Sequence, residues 1–152
     1  MRAVVQRVKN ASVFVEDAEI SRIENGILVF LGIAGDDTEK DMEYIVEKCV
    51  NLRIFEDAEN VMNLSVQDIE GEILLVSQFT LYGDARKGRR PSYQKAAPPD
   101  MARGLFQKCI WLFEQKYSKV RTGKFQADMQ VALINDGPVT ILLDSKKDLD
   151  RK

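Results

Sequence analysis

The sequence predicts a mixed α/β fold, a single domain in which curled, mostly antiparallel sheet layers pack with two main helices. Short apolar segments typical of strands follow one another with turn-forming residues between them. Two longer segments carry apolar residues at helical spacing. A chain of 152 residues is long enough for one ordinary domain but not for two. Because most strands follow one another directly, the pattern favours a curled mixed sheet over a doubly wound one.

The first strands are expected close together along the chain. Arg2–Val8 and Ala11–Glu16 read as two strands joined by a tight turn at Lys9-Asn10, and a third strand is expected near Glu19–Ile23. The run Ile27–Ile33 is apolar throughout. We therefore expect that strand to be buried on both faces.

Two helices are predicted from their caps and apolar faces. The first begins at Thr38, which has Asp41 three residues on and so has the form of a capping box. Its apolar face comprises Met42, Ile45, Val46, Cys49 and Val50. The second helix starts near Pro98 and runs to about Tyr117, since proline suits a first turn. Cys49 and Cys109 lie on the apolar faces of these helices, so we expect both in the core.

The remaining strands lie in the second half of the chain. A strand is expected from Gly71 to Phe79, and Met62–Asp68 is ambiguous. Met129–Asn135 and Val139–Leu143 are predicted strands on either side of a break at Gly137-Pro138. The count is about seven strands and two main helices.

Composition excludes several classes of function. We expect a domain at residues 1–145 and a charged, frayed tail at residues 146–152. No stretch approaches the roughly 20 apolar residues of a membrane span, so no membrane partner is expected and the cytoplasm is the expected location. The chain has two cysteines and no histidine, so an ordinary zinc site and a histidine proton shuttle are excluded. It also lacks a glycine-rich phosphate loop, and we expect neither a metal nor a cofactor.

Two polar segments follow directly on apolar strands. They are Ser77–Asp84, after the strand Glu72–Val76, and Asn135–Thr140, after Met129–Ile134. A strand fixes the backbone while its end stays open to solvent, and folds commonly place chemistry there. These segments are the primary candidates for a functional site.

The two segments carry a resemblance to a known family. Ser77-Gln78-Phe79-Thr80, together with Asn135-Asp136-Gly137-Pro138-Val139-Thr140, resembles the D-aminoacyl-tRNA deacylases. The resemblance extends from Met1 to about Leu143 and includes Val4–Val8, Ala11–Val13 and Met62–Leu64. Each string alone would be weak, but their order and spacing in a chain of this length make a specific match.

The resemblance implies a homodimeric hydrolase that acts on tRNA. Its substrate would be the ester joining a D-amino acid, or glycine, to the terminal adenosine, with L-aminoacyl-tRNA rejected. Ser77, Gln78, Phe79 and Thr80 would form the catalytic segment, and main-chain groups and the 2′-hydroxyl of the tRNA would carry the chemistry. A cis Gly137-Pro138 unit from the partner subunit would select chirality, and Arg7 would hold that unit in place.

The residues alone leave alternatives open. Thr80 is either a nucleophile, with Asp84 or Lys87 as its base, or a strand-end residue that satisfies backbone groups. Gly137-Pro138 is either a cis unit that turns two carbonyls toward one ligand and excludes an L side chain, or an ordinary turn with a trans bond. Arg7 either has a buried partner or lies on the surface of an edge strand.

A basic loop follows the first polar segment. It contains Arg86, Lys87, Arg89 and Arg90. These cations either contact tRNA phosphates or form a solvated surface. Nearby, Phe79 and Tyr93 either stack on a terminal adenine or belong to the core. Three functions are therefore weighed: a deacylase, a nucleic-acid-binding module without catalysis, and a metal-free hydrolase of a small ester or amide.

Overall fold

The computed structural model describes residues 1–149, and only the backbone of Asp148 and Leu149. This part of the chain contains eight strands, three α-helices and a 3₁₀ turn at Phe79–Tyr82. In chain order the elements are β1 (Arg2–Val15), β2 (Ala18–Ile23), β3 (Gly26–Gly32), α1 (Glu39–Asn51), β4 (Phe55–Glu56), β5 (Met62–Leu64), β6 (Glu72–Ser77), α2 (Pro99–Lys116), β7 (Val120–Thr122), β8 (Gln130–Asp144) and α3 (Ser145–Leu149).

Strand β1 organises the sheet because it pairs with three other strands. One edge of β1 pairs antiparallel with β3 along its first half and with β2 along its second half. The opposite edge pairs antiparallel with β8. Strand β6 adds parallel to β3, and β7 adds parallel to β6. The sheet is mixed and mostly antiparallel, and it curls until β2 contacts β7, which confirms the predicted fold class.

A glycine is required where β3 begins. A Cβ atom at Gly26 would lie 1.9 Å from the carbonyl oxygen of Glu72, so any side chain here would push β3 and β6 apart. The two strands pair in register from Gly26 opposite Glu72 to Leu31 opposite Ser77. This close approach therefore sets where the polar end of β6 lies.

Two predicted breaks are wrong because the strands bend there without ending. Lys9-Asn10 is not a turn, and β1 continues through it. Strand β8 also continues past Gly137-Pro138. Gln6 pairs with Thr140 and Val8 with Asn135, so residues 136–139 of β8 lie opposite the single residue Arg7. Such a bulge disrupts the ladder locally and lets both strands go on.

Smaller differences concern short elements. The strand predicted to reach Phe79 ends at Ser77, and the chain turns into the 3₁₀ segment. The ambiguous segment contains β5, which forms a two-stranded sheet with β4. Strand β7 was not predicted, because three residues are too few to show a period.

The two main helices form close to where they are predicted. The backbone N–H and the hydroxyl of Thr38 both donate to the carboxylate of Asp41 at 2.8 Å, which confirms the cap of α1. Helix α2 has 18 residues, and Phe106, Cys109 and Phe113 form its buried stripe. Within residues 1–149, no helix is long and apolar enough to cross a membrane.

The main core lies between these helices and the sheet. Both cysteines are buried there as free thiols, as predicted. Burial raises the pKa of Cys109 to about 12 and raises the pKa of Cys49 as well. Both thiols are therefore protonated at neutral pH.

Residues 145–149 form α3, where a frayed tail is predicted. The hydroxyl of Ser145 donates to Asp41 Oδ1 at 2.6 Å, and Lys146 Nζ donates to Asp41 Oδ2 at 3.1 Å. Burial would raise the pKa of Asp41, but hydrogen bonds from Ser145, Thr38 and Lys146 hold it well below its usual range. These contacts tie α3 to α1. Residues 150–152 of the predicted tail lie outside the described residues.

Candidate active site

The polar end of β6 is fixed by backbone contacts. The N–H of Gln78 donates to the carbonyl of Leu31 at 2.8 Å, which extends the pairing with β3 by one residue. The N–H of Leu81 then donates to the carbonyl of Gln78 at 3.3 Å as the chain turns. A Cβ atom at Gly32 would lie 3.0 Å from Leu81 Cβ and 3.1 Å from the Gln78 carbonyl oxygen, so glycine permits this close packing.

Two backbone donors are left without acceptors at this strand end. Phe79 and Thr80 open the 3₁₀ turn, where the first N–H groups have no acceptor inside the turn. Elsewhere in residues 1–149 these two N–H groups also have no acceptor. Phe79 is 57% exposed and Thr80 is exposed. Adjacent N–H groups on a fixed backbone suit the binding of an oxygen that gains negative charge.

Thr80 has no base in contact with its hydroxyl. That hydroxyl accepts a hydrogen bond from the side-chain amide of Gln78. Asp84, one candidate base, is instead engaged by Arg86. The side chain and the backbone N–H of Arg86 hold the pKa of Asp84 well below its usual range. Among the described residues, no contact places a carboxylate or an amine against Thr80.

Phe79 and Tyr93 form an exposed aromatic pair beside the strand end. Their ring centroids are 5.2 Å apart in an edge-to-face arrangement. The rings are part of residues that are 57% and 39% exposed. Neither residue is in the core, so the core alternative for this pair is wrong.

The basic loop is closed next to the same strand end. Asp84 and Ser92 exchange two backbone hydrogen bonds, of 2.8 and 2.9 Å. Arg86 is paired with Asp84, which leaves three of the four predicted cations available. These three are exposed and make no ion pair within residues 1–149: Lys87, Arg89 and Arg90.

Arg7 is buried and holds the bulge of β8. Its side chain is 7% exposed. Nη1 donates to the carbonyl of Ile54 at 2.7 Å, and Nε lies 3.2 Å from the carbonyl oxygen and 3.1 Å from Oδ2 of Asp136. Lys9 Nζ also lies 3.4 Å from Asp136 Oδ2. The alternative of a surface arginine is therefore wrong.

Asn135 completes the support of the Gly137-Pro138 segment. Its side-chain Nδ2 donates to the carbonyl of Arg7 at 2.9 Å and to the carbonyl of Val139 at 3.2 Å. It therefore bridges the base of the bulge where the ladder is interrupted. The Gly137-Pro138 peptide bond is cis, not trans, and both residues are exposed.

One chain does not bring the two segments together. The bulge lies opposite Arg7, which pairs with Ile27, which in turn pairs with Ile73. Ser77 is four residues further along β6 and three strands away from β8. Along the sheet this amounts to about 13 Å parallel to the strands and about 14 Å across them. The predicted catalytic segment and the predicted selection segment are thus separate regions of this chain.

The sequence did not predict two supporting residues. The Ile54 carbonyl anchors the bulge, and Arg2 contacts the carbonyl of Leu81. A backbone carbonyl leaves no pattern in the sequence. Arg2 did carry a signal, because it is a charged residue directly before the apolar residues Ala3–Val5 of a predicted strand. In residues 1–149, no group of three or more His, Cys, Asp or Glu side chains is placed to hold a metal ion.

The chain has a mixed α/β fold that is shared with a solved protein. A solved structure described as a probable eukaryotic D-amino acid tRNA deacylase superposes with a TM-score of 0.80. The match covers 93% of this chain and 97% of the solved chain, at 18% sequence identity. At that identity the likeness establishes the fold alone.

Sequence comparison gives the family. The family described as D-Tyr-tRNA(Tyr) deacylase matches residues 4–144, and the chain belongs to this family. Proteins named D-aminoacyl-tRNA deacylase from Thermosipho africanus and Thermotoga petrophila are 59% and 58% identical to it. Each match covers 97% of this chain and 99% of the relative. A solved structure of a protein named c-Myc DNA Unwinding Element Binding Protein is 46% identical in sequence and superposes with a TM-score of 0.91. That match covers 95% of this chain and 98% of the solved chain.

Proposed function

We propose that this chain hydrolyses the ester bond of D-aminoacyl-tRNA and of glycyl-tRNA, and that it rejects L-aminoacyl-tRNA. The products would be the free amino acid and the tRNA, and the reaction would proofread chirality in the cytoplasm. Family membership supports the deacylase activity. The observation that supports a particular site is the exposed end of β6, where the N–H groups of Phe79 and Thr80 are free.

The proposed chemistry uses main-chain groups. An aminoacyl ester is already activated, so positioning of water and stabilisation of the oxyanion are the main requirements. Water attacks the ester carbonyl, whose oxygen gains negative charge near the N–H groups of Phe79 and Thr80. The bond to the ribose oxygen then breaks, with the neighbouring 2′-hydroxyl assisting proton transfer to that oxygen. No cofactor is required, and a single such donor is typically worth about 100- to 1,000-fold in rate.

Side chains would serve binding in this scheme. The amide of Gln78, which donates to the Thr80 hydroxyl, would contact the aminoacyl group, with Ser77 as part of the framework. The exposed pair Phe79 and Tyr93 offers faces on which the terminal adenine can stack. The cations of the basic loop lie on the adjacent surface and would contact phosphates of the acceptor end.

We propose that the working unit is a homodimer in which Gly137-Pro138 of one subunit selects chirality in the site of the other. The separation of the two segments within one chain supports this arrangement. So does the free edge of β8, which pairs only with β1 among the described residues. A 15-residue edge strand with exposed Ile134 and Leu142, at 56% and 76%, is typically covered in a stable protein.

Deacylation of D- and L-tyrosyl-tRNA at equal concentration tests the activity. We expect release of tyrosine from the D-form and little from the L-form. Equal rates on both, or none on the D-form, would contradict the proposal. A D-tyrosine ester without tRNA is the matched control, because its rapid hydrolysis would indicate the hydrolase of small esters.

Sedimentation and subunit mixing test the dimer. We expect Leu142→Lys on the free edge strand to shift the protein toward monomer, whereas Ile20→Lys, on β2, should not. Two inactive variants are mixed, one with its β6 end blocked and one altered at Gly137 and Pro138. The mixture should regain some activity, because a mixed dimer would contain one intact site. No recovery, with exchange of subunits confirmed, would place the whole site within one chain.

A second candidate is a nucleic-acid-binding module without catalysis. It is favoured by the basic loop and by the 46% identical structure, whose name describes a protein that binds a DNA element. Incubation with D-aminoacyl-tRNA separates the two functions, since a module that only binds would leave the ester intact.

A further inference from the structure

We propose that Arg2 is a positioning residue for the deacylation site. It would hold the far end of the 3₁₀ turn, and through that turn the N–H groups of Phe79 and Thr80. The inference deepens the proposed function and rests on it. Arg2 contacts Leu81, Tyr82 and Asp144, so its effect would be transmitted through Leu81 and Tyr82.

The guanidinium of Arg2 makes three contacts with different parts of its surface. Nη1 donates to the carbonyl of Leu81 at 3.1 Å. The plane of the group lies over the ring of Tyr82, with Cζ 4.7 Å from the ring centroid. Nε donates to Asp144 Oδ2 at 3.0 Å. A lysine has neither the planar fork nor the stacking face, so this set of contacts requires arginine.

The backbone places Arg2 next to the site. Arg2 pairs with Asp144 of β8 on one side and with Gly32 of β3 on the other. Gly32 in turn packs against Leu81 and the Gln78 carbonyl. The row of residues across the sheet therefore ends at the catalytic segment.

The turn depends on such contacts because it has little support of its own. It spans four residues and has no side-chain cap. Tyr82 is buried, at 6% exposure, and anchors the far end, while Phe79 at the near end is exposed. Loss of the hydrogen bond to Leu81 and of the stacking on Tyr82 would free the turn to shift relative to β6. A misplacement of about 1 Å commonly costs about 100-fold in rate.

Kinetics of Arg2→Met and Arg2→Lys on D-aminoacyl-tRNA test the proposal. The matched control is Arg22→Met, which removes an exposed arginine on β2 that pairs with Glu24. We expect both Arg2 variants to lower kcat by roughly 10- to 100-fold with KM changed by less than about threefold. Arg22→Met should behave as wild type. Arg2→Lys keeps a charge near Asp144, so it should fold even if Arg2→Met does not.

A second measurement does not depend on activity. The amide signals of Phe79 and Thr80 in ¹H–¹⁵N spectra should move in Arg2→Lys and stay in place in Arg22→Met. Unchanged kcat in folded Arg2 variants, or unchanged amide signals, would overturn the inference. If wild type and Arg22→Met both fail to deacylate, the proposed function fails, and the amide signals alone then decide whether Arg2 positions the turn.

Discussion

Replacement of Arg7 by methionine removes the charge beneath the bulge of β8 and keeps an unbranched apolar stem. The variant loses the hydrogen bond to Ile54 and the paired contacts to Asp136. Removal of one partner from a buried ion pair typically costs about 3–5 kcal/mol. Asp136 is 25% exposed and keeps Lys9 as a neighbour, so the lower end of that range applies. We expect about 3 kcal/mol of lost stability.

That loss is large enough to measure in two ways. For a chain of 152 residues, each kcal/mol lowers Tm by about 2–4 °C, so the expected decrease is roughly 6–12 °C. Urea titration at fixed protein concentration gives the same quantity from the midpoint and keeps any association equilibrium constant.

The loss of Arg7 should also affect activity, because Arg7 contacts Asp136 in the bulge of β8. Residues 136–139 lose their buried anchor, so the segment that we propose as the chirality selector becomes less well fixed. We expect the ratio of D- to L-tyrosyl-tRNA deacylation rates to fall by at least tenfold, which corresponds to about 1.4 kcal/mol of discrimination. The rate on the D-form should fall less than the ratio does.

Lys9→Met is the matched control. Lys9 approaches the same carboxylate of Asp136 at 3.4 Å, but its side chain is 62% exposed. An exposed pair of this kind contributes at most about 1 kcal/mol. Equal losses of stability in the two variants, or an unchanged D/L ratio in Arg7→Met, would refute the assignment of Arg7 as the anchor of this segment.

Three further outcomes are expected. Thr80→Ala should reduce kcat/KM far less than the roughly million-fold loss that follows removal of a true nucleophile, because no base contacts this hydroxyl; a folded, tRNA-binding but inactive variant would contradict this. Alanine at Lys87, Arg89 and Arg90 should weaken tRNA binding and flatten its salt dependence by about 0.7–0.9 per lost phosphate contact, and an unchanged slope would assign the loop to solvent. Asp41→Asn should destabilise the protein at pH 7. Folding lowers the pKa of Asp41, so the ionised carboxylate stabilises the protein fully above its unfolded pKa of about 3.9. This stabilisation disappears as the pH falls through the folded pKa. The urea midpoints of wild type and variant should therefore converge in acid.

The sequence predicted the elements whose signals are local. The cap at Thr38, the apolar stripe of α2 and the strand Gly26–Gly32, which was predicted at Ile27–Ile33, each depend on residues within one or two turns or one strand. Propensity and period act over that range, so these elements could be predicted from the chain alone.

The wrong predictions concern features set by distant residues. Lys9-Asn10 and Gly137-Pro138 both look like turns in isolation, yet both lie in continuous strands because β1 and β8 pair with each other across the sequence. Helix α3 likewise depends on Asp41, which lies 104 residues from Ser145. Arg7 was assigned to the Gly137-Pro138 segment only through the family resemblance, because its contact with the carbonyl of Ile54 joins residues 47 positions apart.

The pairing of β1 with β8 also sets the order in which the parts of the protein become available during synthesis. Arg2 and Asp144 are 142 positions apart, so at about 5–20 residues per second the partner of β1 emerges roughly 7–28 s after β1 itself. Strands β3 and β6 are made well before β8. On the proposed division of roles, the part of the site that does chemistry is therefore translated first. In the proposed dimer, the part that selects the substrate is translated last, and it would reach a working site only when a second subunit binds.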